Sequence, residues 1–161
     1  MLDWVNNLLY WTDTGLDRIQ VMNLTSGQYH TLLQGSKWMD EPRAIVVDPS
    51  SGWLYWSDWS ESGAKISMMG MNGATPTVIL NKNDIQYPNA LALDPVHQRL
   101  YYGDAKLSKI GCIDLATHLH RDILVGHKIY PFAMTVFEDR IYWSDWIRNA
   151  VLSVDKFTGV Y

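Results

Sequence analysis

The sequence predicts an all-β chain folded as part of a propeller, on three observations. A four-residue aromatic-acid phrase occurs four times, as Tyr10-Trp11-Thr12-Asp13, Tyr55-Trp56-Ser57-Asp58, Tyr101-Tyr102-Gly103-Asp104 and Tyr142-Trp143-Ser144-Asp145, at steps of 45, 46 and 41 residues. A period of that length means one supersecondary unit copied along the chain. Around each phrase lie apolar runs of four to seven residues, rich in β-branched and aromatic residues and bounded by Gly, Asn, Asp or Pro, as strands are. No 11-residue window carries a sustained apolar stripe at helical spacing.

Each unit resolves into the same elements. Pro42, Pro88 and Pro131 open a first strand through Ala44–Val47, Ala90–Leu93 and Ala133–Val136, ended in the first two by Asp48-Pro49 and Asp94-Pro95. In the first unit only Leu2-Asp3-Trp4-Val5 stands for this strand. The aromatic phrase is the second strand. Ile19–Met22, Ile66–Met69, Ile110–Ile113 and Val151–Val154 form the third, and Thr31–Leu33, Thr77–Leu80 and Asp122–Val125 the fourth. Four short strands in about 40–50 residues is the plan of a propeller blade. The chain then reads as one domain over 1–161, with blades at about 37–82 and 83–127 and incomplete ones at about 1–36 and 128–161. The expectation is a partial propeller whose end blades expose apolar faces.

Composition narrows the function. Hydrophobic residues make up 47% of the chain, enough for a core, and the net charge is −4. No basic stripe exists to neutralise phosphates, which argues against a nucleic-acid partner. No apolar run reaches the length of a membrane span, and residues 1–5 do not read as a leader. The lone Cys112 gives no disulfide framework and reads as a small buried hydrophobe. Signatures of metal, nucleophile or phosphate chemistry are missing, so no enzyme, cofactor or metal is expected. Of the five histidines only His118 and His120 are close in sequence, and that pair reads as a solvated turn. Asp40-Glu41 and Glu138-Asp139 read as loop charges or as ligands for a basic partner.

The phrases, with the Pro and Asp-Pro markers in register, resemble the low-density lipoprotein receptor class B (YWTD) repeat. Glu41–Pro49 and Val136–Trp146 resemble the endocytic lipoprotein-receptor branch in particular. The resemblance implies a six-bladed propeller of which about four blades are present, two of them incomplete. It implies a non-catalytic, extracellular protein-recognition module of a cell-surface and endosomal receptor. Its partners would be protein ligands or the receptor's own ligand-binding modules, with cysteine-rich EGF-like modules alongside and a role in releasing cargo. Related propellers serve Wnt-type co-receptors and laminin-binding basement-membrane linkers. A hydrolase or lactonase propeller is the alternative from another class, disfavoured because the innermost runs are apolar. The third copy departs from the pattern at Tyr102 and Gly103, so looser packing is expected there.

Within the phrases, Tyr10, Trp11, Asp13, Tyr55, Trp56, Asp58, Tyr101, Tyr102, Asp104, Tyr142, Trp143 and Asp145 read as structural, the rings joining blade to blade and the acids capping turns. Binding residues belong in loops on a rigid scaffold. Strand alternation puts the two-to-three turns and four-to-one connections on one face. That face carries Trp38, Asp40, Glu41, Trp59, Glu61, Tyr87, His127, Tyr130, Trp146 and Arg148, an aromatic and Arg set of the kind that anchors interfaces. A partner Lys could stack on Trp59 or Trp146 while Glu61 or Asp40 pairs its charge. Relatives place His just before the proline where this chain has Tyr130, so His127 alone suggests a weak pH effect. Asn23-Leu24-Thr25 is a glycosylation sequon near the three-to-four turn.

Overall fold

The computed structural model describes residues 1–35, 37–60, 63–126 and 128–161. The described residues hold fifteen strands in four antiparallel sheets and no helix. The first sheet is β1 (Leu2–Asp3), β2 (Leu8–Asp13), β3 (Arg18–Asn23) and β4 (Tyr29–Gln34), in that order. The second is β5 (Pro42–Asp48), β6 (Trp53–Asp58), β7 (Lys65–Gly70) and β8 (Thr77–Leu80). The third is β9 (Pro88–Asp94), β10 (Arg99–Asp104), β11 (Lys109–Asp114) and β12 (His120–Val125). The fourth is β13 (Pro131–Phe137), β14 (Arg140–Asp145) and β15 (Ala150–Asp155). The first strands β5, β9 and β13 lie side by side, so they form the inner edge against which successive sheets stack.

Two adjacent aromatics per sheet explain the stacking. Neighbouring residues of a strand point to opposite faces, so each phrase sends one ring forward and one back. Tyr10 packs with Trp56, Leu54 and Val47 between the first two sheets. Tyr55 and Tyr102 share the core between sheets two and three. Tyr101 and Trp143 share the core between sheets three and four. Trp11 and Tyr142, which face away from these three cores, are only half-buried. Burying rings of this size is the main stabilising contribution at each seam.

The third letter of the phrase also has a physical role. The ladder from β5 to β6 slips between Pro42 and Ile45, and that between β13 and β14 slips between Pro131 and Ala133. Such a bulge leaves a backbone N–H without a ladder partner. The Ala44 N–H donates to Ser57 Oγ at 3.1 Å, and the Ala133 N–H to Ser144 Oγ at 3.2 Å. Thr12 Oγ1 instead donates across the seam to the Arg43 carbonyl at 2.7 Å.

Three expectations need correction. The third blade is not loose. Tyr102 is fully buried over Gly111, its cross-strand partner, where an added Cβ would collide with the ring. A Cβ on Gly103 would lie 2.6 Å from Pro131 Cβ, so this glycine lets the next sheet approach. Both departures from the repeat are therefore met by close packing, Tyr102 against Gly111 and Gly103 against Pro131. Trp4 and Val5 are not strand residues. They sit exposed in the turn after β1, held by N–H groups of Val5 and Asn6 donating to the buried Asp3 carboxylate at 3.0 Å each. His120 begins β12 and lies 3.6 Å from Asp84, so only His118 of that pair occupies the turn.

On the side away from the phrase ends, Lys156 closes the seam between the third and fourth sheets. Its buried ammonium lies 2.9 Å from Asp94 Oδ2 and donates to the Glu138 carbonyl at 2.7 Å, while His97 Nδ1 sits 2.9 Å from the same Asp94 oxygen. Burial alone would push the Asp94 carboxyl up. The Lys156 hydrogen bond, the His97 bonds and the Lys156 charge together hold it below the usual carboxylate range.

Candidate binding face

Every aromatic phrase but the first ends in a two-way clip that builds this face. Asp58 Oδ2 accepts the Asp40 N–H at 2.8 Å, and Oδ1 accepts those of Glu41 at 3.2 Å and Ser60 at 3.1 Å. Asp104 accepts the N–H groups of Gln86 at 2.6 Å, Tyr87 at 3.2 Å and Leu107 at 2.9 Å. Asp145 accepts those of Tyr130 at 2.8 Å and Arg148 at 2.9 Å, with the Trp143 indole at 3.2 Å. In return, the carbonyl of the residue before each proline accepts an N–H from the residue after the phrase: Glu41 from Trp59, Tyr87 from Ala105, Tyr130 from Trp146. Among the described residues Asp13 binds the Leu16 N–H and Arg18. The acids therefore do more than cap a turn: they fix the four-to-one connection against the two-to-three turn. Burial would raise the Asp145 carboxyl, but its donors hold it low. The buried phenols respond oppositely: burial, with Asp48 adding to it, pushes Tyr55 up to about 12.

The structure brings part of the predicted set together. Trp59 and Tyr87 are in contact, ring centroids 5.0 Å apart. Trp59, Tyr130 and Trp146 line one depression of about 670 Å³ with Arg43, Phe132 and Ile147. Trp146 is 65% exposed and has Phe132 edge-on at 5.2 Å. Trp38 does not line this depression; it is half-buried over the fully buried Met39, with Lys37 4.6 Å from its ring. Asp40 is exposed, Glu41 pairs with Arg43 at 3.4 Å, and Arg148 is exposed. Glu61 and His127 lie outside the described residues.

The predicted stacking of a partner Lys on Trp59 meets an obstacle. The Arg43 guanidinium already lies 3.9 Å from the Trp59 ring centroid, and Lys106 lies 4.7 Å from that of Tyr87. With Lys37 on Trp38, three of the five predicted aromatics carry a cation from their own chain. Sequence reasoning missed Arg43, Phe132 and Lys106. A signal existed for the first two: each follows the first-strand proline. The proline pairs with the last residue of the phrase, so the residue after it sits at the strand end that meets the depression.

The floor of the depression is apolar, with Ile45, Leu91 and Met134 contributed by three successive inner strands. Its described lining holds no Asp, Glu, His or Cys, and the described residues contain no cluster of three such groups that could hold a metal. The surface offers shape, apolar area and positive charge rather than acid–base or nucleophilic chemistry.

Residues 7–49 and 52–95 match the family described as low-density lipoprotein receptor repeat class B. The chain belongs to this family. The matched unit runs from the aromatic strand of one sheet to the inner strand of the next, one strand out of step with the sheets themselves. The chain is 36% identical over 155 residues to the human low-density lipoprotein receptor-related protein 5-like protein, covering 96% of this chain and 60% of that one. It is 34% identical over 158 residues to the vitellogenin receptor of Solenopsis invicta, covering 98% of this chain but 9% of the receptor. The chain thus spans less than two thirds of the length of these relatives. The solved nidogen/laminin complex contains a chain 32% identical that superposes with a TM-score of 0.88, covering 96% of this chain and 57% of that one. A gluconolactonase from Xanthomonas campestris matches with a TM-score of 0.78 at 16% identity, a likeness of fold alone. The architecture is that of a partial class B, or YWTD, β-propeller.

Proposed function

We propose that the chain is a non-catalytic extracellular protein-recognition module of a lipoprotein-receptor-like endocytic receptor, and that it grips its partner on the aromatic face and aids cargo release. The observation that carries this is the depression bounded by Trp59, Tyr130, Phe132 and Trp146, with an apolar floor and Arg43 at its rim. Aromatic and Arg residues around a concave centre are what concentrates binding energy in protein interfaces. The cations already lying on Trp38, Trp59 and Tyr87 make an acidic partner segment with an apolar anchor the better complement, within a chain whose net charge is −4. The receptor's own ligand-binding modules are candidates of that kind.

A second reading is a basement-membrane linker, favoured by the nidogen likeness at a TM-score of 0.88. One experiment tests the face under both readings. Wild type and Trp146→Ala are titrated by surface plasmon resonance against immobilised receptor ligand-binding modules and against a laminin fragment. Trp146→Ala should weaken one of the two at least about tenfold, the effect of losing one anchor, with an unchanged melting temperature because the ring is 65% exposed. Equal affinity of wild type and variant for both partners refutes the assignment of the face.

A further inference from the structure

We infer that Asn23 is a site of N-linked glycosylation, at the end of the first sheet opposite the binding face. Asn23-Leu24-Thr25 is the one sequon in the chain. A sequon alone is weak evidence, but the repeats supply a comparison. At the equivalent turns of the third and fourth sheets the residue is an aspartate. Asp114 Oδ1 accepts the Ala116 and Thr117 N–H groups, and Asp155 Oδ1 accepts those of Phe157 and Thr158. In both, the threonine three residues on donates its hydroxyl back to that aspartate, at 2.9 Å.

Asn23 keeps the turn and changes what is left over. Its Oδ1 accepts the Thr25 N–H at 2.9 Å and the Ser26 N–H at 3.0 Å, which is all the turn requires. The amide nitrogen Nδ2 makes no hydrogen bond among the described residues. Here the threonine stands two residues on rather than three, and its hydroxyl accepts from Asn7 Nδ2 at 2.7 Å instead of folding back. Asn23, Leu24 and Thr25 are all exposed. Where those sheets have an acid that caps, the first has an amide that caps with its oxygen and leaves its nitrogen uncommitted on an exposed residue. Beside it, Tyr29 is 67% exposed and lines the same open groove as Asn23, Leu8 and Val21, apolar surface over which a sugar ring can lie.

The modification would join Asn23 Nδ2 to the anomeric carbon of an oligosaccharide carried on a lipid diphosphate. The carbon–oxygen bond to phosphate breaks, the lipid diphosphate leaves with the electron pair, and the amide gives up one proton. Asn23 lies at the end of β3 opposite Arg18, about 17 Å away at about 3.4 Å per residue. The glycan would so leave the aromatic depression open.

The proposal rests on the extracellular reading. The full chain is expressed behind a secretion signal in mammalian cells, and the medium is analysed by intact mass and by glycosidase digestion. Most of the wild-type chain should carry one glycan, released by the amidase with conversion of Asn23 to Asp. Thr25→Ala and Asn23→Asp should both be secreted unmodified, and the second retains the oxygen that closes the turn. Wild-type chain that is secreted and folded with Asn23 unmodified overturns the proposal. A glycosylated chain that binds neither partner above leaves the proposal standing and sinks the functional reading alone.

Discussion

Asp58→Ala should unfold the molecule far more readily than Asp13→Ala, although both remove the last letter of the same phrase. Asp58 is fully buried and accepts three backbone N–H groups, those of Asp40, Glu41 and Ser60, with Lys65 3.4 Å away. Hydrogen bonds to a charged acceptor contribute about 1.5–3 kcal/mol each and do not add, and removing one partner of a buried charged network costs about 3–5 kcal/mol. Taking about 4 kcal/mol, and about 2–4 °C per kcal/mol for a chain of this size, the melting temperature should fall by roughly 8–16 °C. The Asp13 and Arg18 side chains are each 26% exposed, and Asp13 holds only one turn N–H. Its loss should cost about 1 kcal/mol, or roughly 2–4 °C. Thermal melts by circular dichroism at neutral pH measure both. Equal shifts, or a melting temperature of Asp58→Ala within 3 °C of wild type, would refute the claim that these acids fasten the four-to-one connection.

Three further outcomes follow from the geometry. Gly103→Ala should destabilise by about 1–3 kcal/mol in urea unfolding, because its Cβ would meet Pro131 Cβ at 2.6 Å where two backbones are fixed. Asp94→Asn should lower stability at pH 7 but not at strongly acid pH. The Asp94 carboxyl is held below its unfolded value, so its contribution is complete above about pH 4, the unfolded value, and is lost as pH falls through the folded one; a wild-type-minus-variant difference that does not shrink on acidification argues against the Lys156 latch. Partner binding should change less than about threefold between pH 7.4 and 5.5, since no described histidine lines the aromatic depression. A large change abolished by His127→Ala would assign the switch to that residue.

The sequence by itself determined the architecture, because repetition makes strand order legible: a phrase that recurs with its proline and its Asp-Pro must recur as the same strands. It also placed the two-to-three turns and the four-to-one connections on one side, since direction alternates along antiparallel strands. Only the tertiary structure decided how that face is furnished. Arg43 lies on Trp59, Lys106 on Tyr87 and Phe132 against Trp146. These pairs join residues from 14 to 19 positions apart, and Trp59 and Tyr87, 28 positions apart, adjoin different sheets. The same limit explains the third blade, where Tyr102 and Gly103 looked like losses. Their compensation lies in Gly111 across the strand and Pro131 on the next sheet. Periodicity along a chain fixes which way a side chain points, but which neighbour meets it depends on how closely the sheets stack.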